Sequence, residues 1–291
     1  MSKVLAIDLG GTQLRAGICD DAAPAAVRHI GAWPAPKGLD GLCETIAWLA
    51  KEHSAERLGV SVPGTARGAR CLWIPNLPWL DGVDLSGQFP DLVIGLGQDA
   101  QLALLAEASA GAAKTLSDAI LVAIGTGIGS AVLSGSRIVR GGHGAACSFG
   151  WACADLDDDG DDRDGWLERQ AAGRAFDAIG RQAGFSDGRG VVAAARAGNT
   201  DAIDALARPA KALGVSLATA VALLDPQSVI LAGGVAEAAD VLVPMVQAAM
   251  KKQLPPHLRC VRIEAGSFGK DASLVGAAFA GVRGQQWDEI R

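Results

Sequence analysis

The sequence predicts an α/β fold of two similar halves, each built on a mixed β-sheet flanked by helices. Short apolar runs that end in glycine recur along the chain, as in KVLAIDLGG and SVILAGG, and are typical of buried strands followed by turns. The pattern of strand, glycine turn and second strand occurs at Asp8 to Thr12 and again at Gly125 to Gly129, which indicates an internal duplication. Segments with helical spacing of apolar residues follow these strands.

In the first half, KVLAIDLGG and TQLRAGICD predict two antiparallel strands joined by a Gly-Gly-Thr turn. LGVSVPG predicts a strand that ends in Pro-Gly, and LVIGLGQDA predicts another. AQLALLAEASAGAAK then predicts a helix, because its apolar residues continue for several turns.

In the second half, DAILVAIGTGIGSAVLSGSRIVRGG predicts a strand, a Gly-Thr-Gly turn and two further strands. GWLERQAAGRAFDAIGRQAG and DAIDALARPAKALGVSLATAVALLD predict helices, the second of which ends before Pro226. SVILAGGVAEAADVLVPMVQAAMKK predicts a strand, a Gly-Gly turn and a helix, and DASLVGAAFAGVRG predicts the last helix. We expect one domain at residues 1–116 with a returning C-terminal helix at 272–291, and a second domain at residues 117–271.

Composition limits the partners of the chain. Its 291 residues are 49% hydrophobic and carry a net charge of −6, with no run of five basic residues, which argues against nucleic acid and anionic membranes. Uninterrupted apolar runs are shorter than the ~18 residues of a membrane helix, and the N-terminus shows no secretory signal. Six scattered cysteines predict a cytoplasmic protein with reduced and mostly inert thiols.

Three glycine turns follow apolar strands, at Gly10-Gly11-Thr12, Gly125-Thr126-Gly127 and Gly233-Gly234. Glycine lets backbone N–H groups approach a phosphate closely, so three such turns favour a nucleotide site, although each alone is compatible with a plain hairpin. The chain lacks a P-loop motif, and GTGIGS precedes a strand rather than a helix, which excludes a dinucleotide fingerprint. We therefore expect the tips of hairpins to hold the phosphates of ATP.

Two aspartates are the candidate catalytic carboxylates. Asp8 precedes the first turn, where it can hold Mg²⁺ through water or simply cap the turn. Asp99 begins a helix at the end of a strand, where it can act as an N-cap and also accept the proton of an attacking sugar hydroxyl.

Five segments follow one another in a recognisable order: AIDLGGTQLRAGICD, VSVPG with IPNLPW, QDAQLALLAE, IGTGIGSAVLSGSRIVRGGHGAA and LLDPQSVILAGGVAE. In this order they resemble the first phosphate loop, sugar-binding segment, catalytic segment, second phosphate loop and adenosine segment of the ROK (repressor, ORF, kinase) family. The resemblance covers nearly the whole chain. It implies the actin/hexokinase-like duplicated two-domain fold and an ATP-dependent sugar kinase that uses Mg²⁺, phosphorylates a hydroxyl such as the 6-hydroxyl of a hexose, and forms a homodimer.

The resemblance also implies the roles of individual residues. Asp99 would be the base, Asn76 and Glu168 would bind sugar hydroxyls, and Gly64 would line the sugar pocket. The residues implied on the ATP side are those of the glycine turns: Gly10, Gly11, Thr12, Gly125, Thr126, Gly127, Gly233 and Gly234.

The departures from the family pattern concern the sugar end and a zinc motif. Gln98, Ser148 and Trp151 stand where the family has an asparagine, a glutamate and a histidine that bind the sugar. The cysteines of C-x-C-G-x-x-G-C-L-E are replaced in DDDGDDRDGWLE. A zinc site needs about four N or S ligands, so we expect no structural zinc.

The acidic segment matches part of a calcium-binding EF-hand loop, but Trp166 stands at the position of the closing glutamate. A solvated acidic loop is therefore favoured over a calcium site. Trp151 can either stack on the C–H face of a sugar or fill space left by the missing zinc motif. These departures predict an altered sugar preference, such as one for a hexose or ketose without an acetamido group.

Two alternatives to a kinase agree less well with the sequence. A catalytically weak sugar sensor is disfavoured by the intact Asp8, Asp99 and glycine turns. A repressor of the same family is disfavoured by the acidic charge and by the seven residues that precede Asp8.

Overall fold

The computed structural model describes residues 2–290, which divide into two compact units. Among these residues the first unit comprises 2–115, 135–146 and 271–290, and the second comprises 116–134 and 147–270. Residues 135–146 lie in the first unit, whereas the sequence predicts them in the second domain.

The strands are β1 Lys3–Leu9, β2 Gln13–Asp20, β3 Arg28–Pro34, β4 Ala55–Val62, β5 Thr65–Arg67, β6 Arg70–Trp73, β7 Val93–Gln98, β8 Ala119–Ile124, β9 Ile128–Ser134, β10 Arg137–Ile138, β11 Ser228–Ala232 and β12 Arg262–Ala265. The helices are α1 Leu39–Glu52, α2 Leu85–Gln88, α3 Asp99–Ala110, α4 Trp166–Ala171, α5 Gly173–Gln182, α6 Gly188–Arg196, α7 Thr200–Leu224, α8 Ala239–Gln253 and α9 Ala272–Arg283.

The sheet of the first unit has the strand order β3-β2-β1-β4-β7. Strands β1, β4 and β7 are parallel, while β2 runs antiparallel to both β1 and β3. One face packs on α1 through Leu42, Ile46 and Leu49, within a continuous apolar core. Helices α9 and α3 complete this unit, and the returning C-terminal helix is the one that the sequence predicts.

Helix α9 approaches the strands of the first unit very closely. A Cβ atom added to Gly59 would lie 1.7 Å from the carbonyl oxygen of Ala277, and one added to Gly95 would lie 2.0 Å from that of Ala280. The absence of side chains on the strands therefore lets the helix backbone rest directly on the sheet.

The second unit repeats this arrangement. Four of its strands lie in the order β9-β8-β11-β12, with β9 antiparallel to β8 and with β11 parallel to both β8 and β12. Both sheets thus begin with a hairpin and continue with parallel strands, as expected for the duplicated actin/hexokinase-like fold.

Helix α7 runs through the second unit and contains Pro209. It is long and apolar enough, by length and composition, to cross a membrane, but half of its most apolar window is buried inside the unit. Leu213, Leu217 and Val221 pack there against the β-sheet core, which is how a long core helix behaves.

The helical segment after the acidic loop is divided into two helices, whereas the sequence predicts one. Helix α4 ends at Ala171, and Ala172 adopts an extended conformation before α5 begins at Gly173. The backbone N–H of Gly173 donates to the carbonyl of Gly125 at 2.8 Å, and a Cβ on Gly173 would lie 2.6 Å from that oxygen. The chain therefore breaks where α5 meets the turn after β8.

Candidate active site

In the first unit, the turn between β1 and β2 packs against Asn76. The N–H of Gly10 donates to the carbonyl of Gln13 at 2.8 Å and closes the turn, whose residues Gly11 and Thr12 are exposed. A Cβ on Gly11 would lie 2.9 Å from Cβ of Asn76. The predicted phosphate turn and the predicted sugar ligand Asn76 are therefore neighbours.

Asp8 is held by an arginine that the sequence analysis did not single out. Arg15 lies directly opposite Asp8 in the hairpin, and its Nη2 and Nε donate to one oxygen of Asp8, Oδ2, at 2.6 and 3.1 Å. Nη1 of Arg15 also donates to Asp271 at 2.9 Å, just before α9. These contacts orient Asp8 and leave its Oδ1 outside the guanidinium pair.

Asp99 is the first residue of α3 and is half-buried. Its Oδ1 accepts a hydrogen bond from the N–H of Ala100 at 2.7 Å. Burial raises the pKa of Asp99 to about 6; the hydrogen bond from Ala100 opposes this rise, and the negative charge of Asp8 adds to it. A carboxylate with such a pKa is ionised at neutral pH yet still accepts a proton readily.

Gln98 and Gly64 lie at strand ends of the same unit. Gln98 precedes Asp99, and its Oε1 is buried but accepts no hydrogen bond within residues 2–290. Gly64 follows β4, and a Cβ there would lie 2.3 Å from the carbonyl oxygen of Trp73. A buried acceptor without a donor is unfavourable, so Gln98 is suited to a ligand hydroxyl.

In the second unit, the turn between β8 and β9 is anchored by Glu168. Gly125 and Thr126 are exposed, and the N–H of Gly125 donates to the carbonyl of Gly127 at 3.0 Å. Oε1 of Glu168 accepts from the N–H of Ile128 at 2.7 Å. The resemblance implies that Glu168 binds a sugar hydroxyl; in the structure its carboxylate holds the turn between β8 and β9.

Ser148 and Trp151 lie beside Glu168 in the second unit. The N–H of Trp151 donates to the carbonyl of Ser148 at 3.0 Å, and a Cβ on Gly150 would lie 2.6 Å from Cγ of Glu168. The side chain of Ser148 is exposed, and Trp151 is 49% exposed. Trp151 is therefore an exposed aromatic side chain and does not fill a core.

A cavity of about 490 Å³ opens beside the second glycine turn. Its lining includes Gly125, Thr126 and Gly234, together with apolar side chains such as Phe176, Val192 and Leu242. Gly233 has φ of +77°, and a Cβ there would lie 2.6 Å from the carbonyl oxygen of Ile124, so glycine is required at this turn. The size and lining suit a nucleoside.

The acidic loop is largely exposed, as the sequence predicts, and two of its aspartates are also paired with arginines. Asp158 pairs with Arg169 at 2.7 Å, and Asp164 pairs with Arg174 at 2.8 Å. The hydrogen bond from Arg169 lowers the pKa of Asp158. Asp155, Asp157, Asp159 and Asp162 are exposed.

The metal-binding capacity of the site is limited. No group of three or more His, Cys, Asp or Glu residues is arranged to hold a metal ion within the part of the chain that the structure describes. Mg²⁺ commonly needs only one or two carboxylates, several waters and substrate phosphates. Asp8, with one oxygen outside its arginine pair, fits an ion that arrives with ATP.

Comparisons with known proteins agree with this geometry. The sequence profile of the ROK family matches residues 4–281. The chain is 32% identical to an N-acetylmannosamine kinase of Citrobacter koseri, covering 95% of this chain and 97% of that protein. It is 26% identical to a glucokinase of Streptomyces coelicolor, covering 96% and 97%. A ROK family glucokinase from Streptomyces griseus, solved with glucose and AMPPNP, superposes with a TM-score of 0.81 at 24% identity, covering 97% and 100%.

Proposed function

This chain belongs to the ROK family and is an ATP-dependent carbohydrate kinase, and we propose that it transfers the γ-phosphate to the 6-hydroxyl of a hexose or a related sugar. The observation that carries the proposal is Asp99, a half-buried carboxylate whose pKa of about 6 suits a general base. The relatives of this chain include proteins named N-acetylmannosamine kinase and glucokinase.

In the proposed reaction Asp99 accepts the proton of the sugar hydroxyl. The freed oxygen forms a bond to the γ-phosphorus, the bond from that phosphorus to the β–γ bridging oxygen breaks, and ADP leaves with the electron pair. Mg²⁺, when bound near Asp8, supplies neutralisation of the phosphate charge. Arg15 fixes the orientation of Asp8 throughout, because its guanidinium holds Oδ2 through two N–H groups.

The ATP side of the proposal rests on the glycine turns. Gly10, Gly11 and Thr12 would donate N–H and hydroxyl groups to phosphate, as would Gly125, Thr126 and Gly127. Gly233 and Gly234 would border the nucleoside, since Gly234 lines the 490 Å³ cavity.

The sugar side of the proposal rests on polar groups at two places. Asn76, Gln98 and Asp99 would bind hydroxyls in the first unit, with Gly64 lining the pocket, and the buried unpaired Oε1 of Gln98 supports this role. Glu168 and Ser148 would bind hydroxyls in the second unit, and the exposed face of Trp151 would stack on the C–H face of the sugar.

The test is a panel of sugars with ATP and Mg²⁺, monitored by ADP release. The panel contains glucose, mannose, fructose and their N-acetylamino counterparts, and 6-deoxyglucose tests the hydroxyl. We expect at least one 6-hydroxy sugar to stimulate ADP release and 6-deoxyglucose to fail. A 6-deoxy sugar that is phosphorylated would contradict the assignment of the hydroxyl.

The role of Asp99 is tested with Asp99→Asn, beside Asp91→Asn as a control on an exposed aspartate of the same unit. We expect Asp99→Asn to lower kcat by about 100-fold or more and Asp91→Asn to leave it unchanged. Full activity of folded Asp99→Asn would show that another group takes the proton. Sugar binding without any ADP release by the wild type would favour a sensor, the alternative that the enzyme relatives do not support.

We also propose that the protein is a cytoplasmic homodimer that binds no nucleic acid or membrane. The six cysteines are all free, which suits a reducing compartment, and the net charge is −6. Light scattering that gives the monomer mass of 29.6 kDa would contradict the dimer.

A further inference from the structure

The acidic loop is attached to the two helices that follow it. Asp158 pairs with Arg169 of α4, and Asp164 pairs with Arg174 of α5. Turns within the loop use further carboxylates, since Asp161 accepts from the N–H groups of Arg163 and Asp164 at 2.7 and 2.9 Å. The loop therefore has a defined end, at which Asp164 faces an arginine.

Arg174 joins the acidic loop to the second glycine turn. Its Nη2 pairs with Asp164 at 2.8 Å, and its Nε donates to the carbonyl of Thr126 at 3.3 Å. The preceding residue, Gly173, donates its N–H to Gly125 at 2.8 Å. Arg174 also lines the same 490 Å³ cavity as Gly125 and Thr126.

We propose that Arg174 binds the phosphates of the nucleotide and that Asp164 is a positioning residue that holds Arg174 toward the turn. This inference rests on the proposed function, because it assumes that the cavity takes ATP. It gives the acidic loop a role in nucleotide affinity, in addition to the contribution of the glycine turns.

The chemistry of Arg174 suits phosphate better than a nucleobase or a sugar. Its contacts with Asp164 and Thr126 use two of the five N–H donors of a guanidinium, and a planar fork matches phosphate oxygens. Arg174 is the second residue of a ten-residue helix, so the N-terminal dipole of α5 adds to its positive charge. Its side chain is 55% exposed, which leaves it accessible to a ligand.

Asp164 acts on Arg174 through their ion pair, which offsets the negative charge of this carboxylate. Its side chain is 30% exposed and its Oδ1 is committed to Arg174. An arginine fixed in this way loses little rotamer freedom when it binds an anion, so the ion pair favours binding.

The test is calorimetric binding of adenosine, ADP and AMPPNP to the full-length protein. The variants are Arg174→Ala, Arg174→Lys and Asp164→Asn. Arg181→Ala is the matched control, because Arg181 is exposed on the same helix and does not line the cavity. Thermal melts accompany each titration so that an unfolded variant is recognised.

We expect Arg174→Ala to weaken the binding of ADP and AMPPNP by about tenfold and the binding of adenosine by less than twofold. The affinity of Arg174→Lys for ADP should lie between those of the wild type and Arg174→Ala, since lysine keeps the charge but lacks the planar guanidinium. Asp164→Asn should weaken ADP about threefold, and Arg181→Ala should match the wild type.

Equal weakening of adenosine and ADP by Arg174→Ala would overturn the proposal, because Arg174 would then only shape the cavity. Unchanged ADP affinity, or a wild type that binds no ADP, would overturn it as well. These outcomes are separate from sugar-dependent turnover. If the wild type phosphorylates sugars while Arg174→Ala binds ADP normally, the proposed kinase function stands and only the role of Arg174 is refuted.

Discussion

Burial and a hydrogen bond shift the pKa of Asp99 in opposite directions. Because the net shift brings this pKa close to neutral pH, the activity of the enzyme should depend on pH. Burial raises its pKa to about 6, with a further contribution from Asp8 and an opposing one from the N–H of Ala100. Only the ionised form accepts a proton, so kcat/KM should rise about tenfold per pH unit below about 6 and level off above it. A profile of kcat/KM from pH 5 to 8 in one buffer series measures this.

Stability provides an independent check on the same carboxyl. Its folded-state pKa is above the ~3.9 of an unfolded aspartate, so its favourable contribution is complete below about pH 4 and is lost as the pH rises through 6. Asp99→Asn should therefore have a higher Tm than the wild type at pH 7.5 and about the same Tm at pH 4. A lower Tm of Asp99→Asn at pH 7.5 would show that burial does not oppose the charge.

The role of a residue was predictable from the sequence where its own position in the chain indicates that role. The position of Asp99 at a strand-to-helix junction followed from the sequence alone. Arg15 was missed, because the sequence predicts the hairpin but not its register, and only the register places Arg15 opposite Asp8. Arg174 could not be found from the sequence, because its contacts with Thr126 and Asp164 span 48 and 10 residues and depend on where α5 begins.

At the scale of elements, Glu168 connects α4 to the turn between β8 and β9, and under the proposed function its removal should affect both substrates. Glu168→Ala leaves the N–H of Ile128 without its acceptor, which costs about 1–3 kcal/mol and loosens the turn. We expect a lower free energy of unfolding and a higher KM for ATP as well as for sugar. Urea unfolding and initial rates with each substrate varied provide the measurements.

Glu168→Gln separates the two roles of this side chain. The amide oxygen can still accept from Ile128, so stability and KM for ATP should stay near wild type while KM for sugar rises. Gln170→Ala, on the same helix, is the control and should leave all three unchanged. If Glu168→Gln raises KM for ATP as much as Glu168→Ala does, the hydrogen bond to Ile128 is not what supports the turn.

The sequence predicts the strands and helices that have strong apolar patterns or adjoin glycine turns, but it does not predict the other elements. The hairpins β1–β2 and β8–β9 and helices α3, α7 and α9 follow directly from such patterns. Strand β3 has no fully buried residue, so it carries little apolar signal. The break between α4 and α5 comes from the contact of Gly173 with Gly125, which no local pattern encodes.

At the scale of the whole molecule, the first unit is closed by residues from the far end of the chain. Helix α9 rests on β4 at Gly59, and Trp287, which is 1% exposed, donates its Nε1 proton to the carbonyl of Leu96 at 2.8 Å. The final helix was predictable as an element, and its return was expected from the duplicated fold. How closely it approaches was not predicted, although glycines within strands are a signal for close backbone contact.

Gly59→Ala tests this closure. The new methyl would lie 1.7 Å from the carbonyl oxygen of Ala277, so α9 must retreat from the sheet and lose packing over its length. Because the contact is with backbone, we expect a loss of at least about 3 kcal/mol in the free energy of unfolding, at the upper end of overpacked cores. Gly87→Ala is the control in the same unit, since nothing lies within 4 Å of its added Cβ. Urea unfolding should show a lower midpoint for Gly59→Ala alone, and equal midpoints for both variants would mean that α9 can move away from the strand without cost.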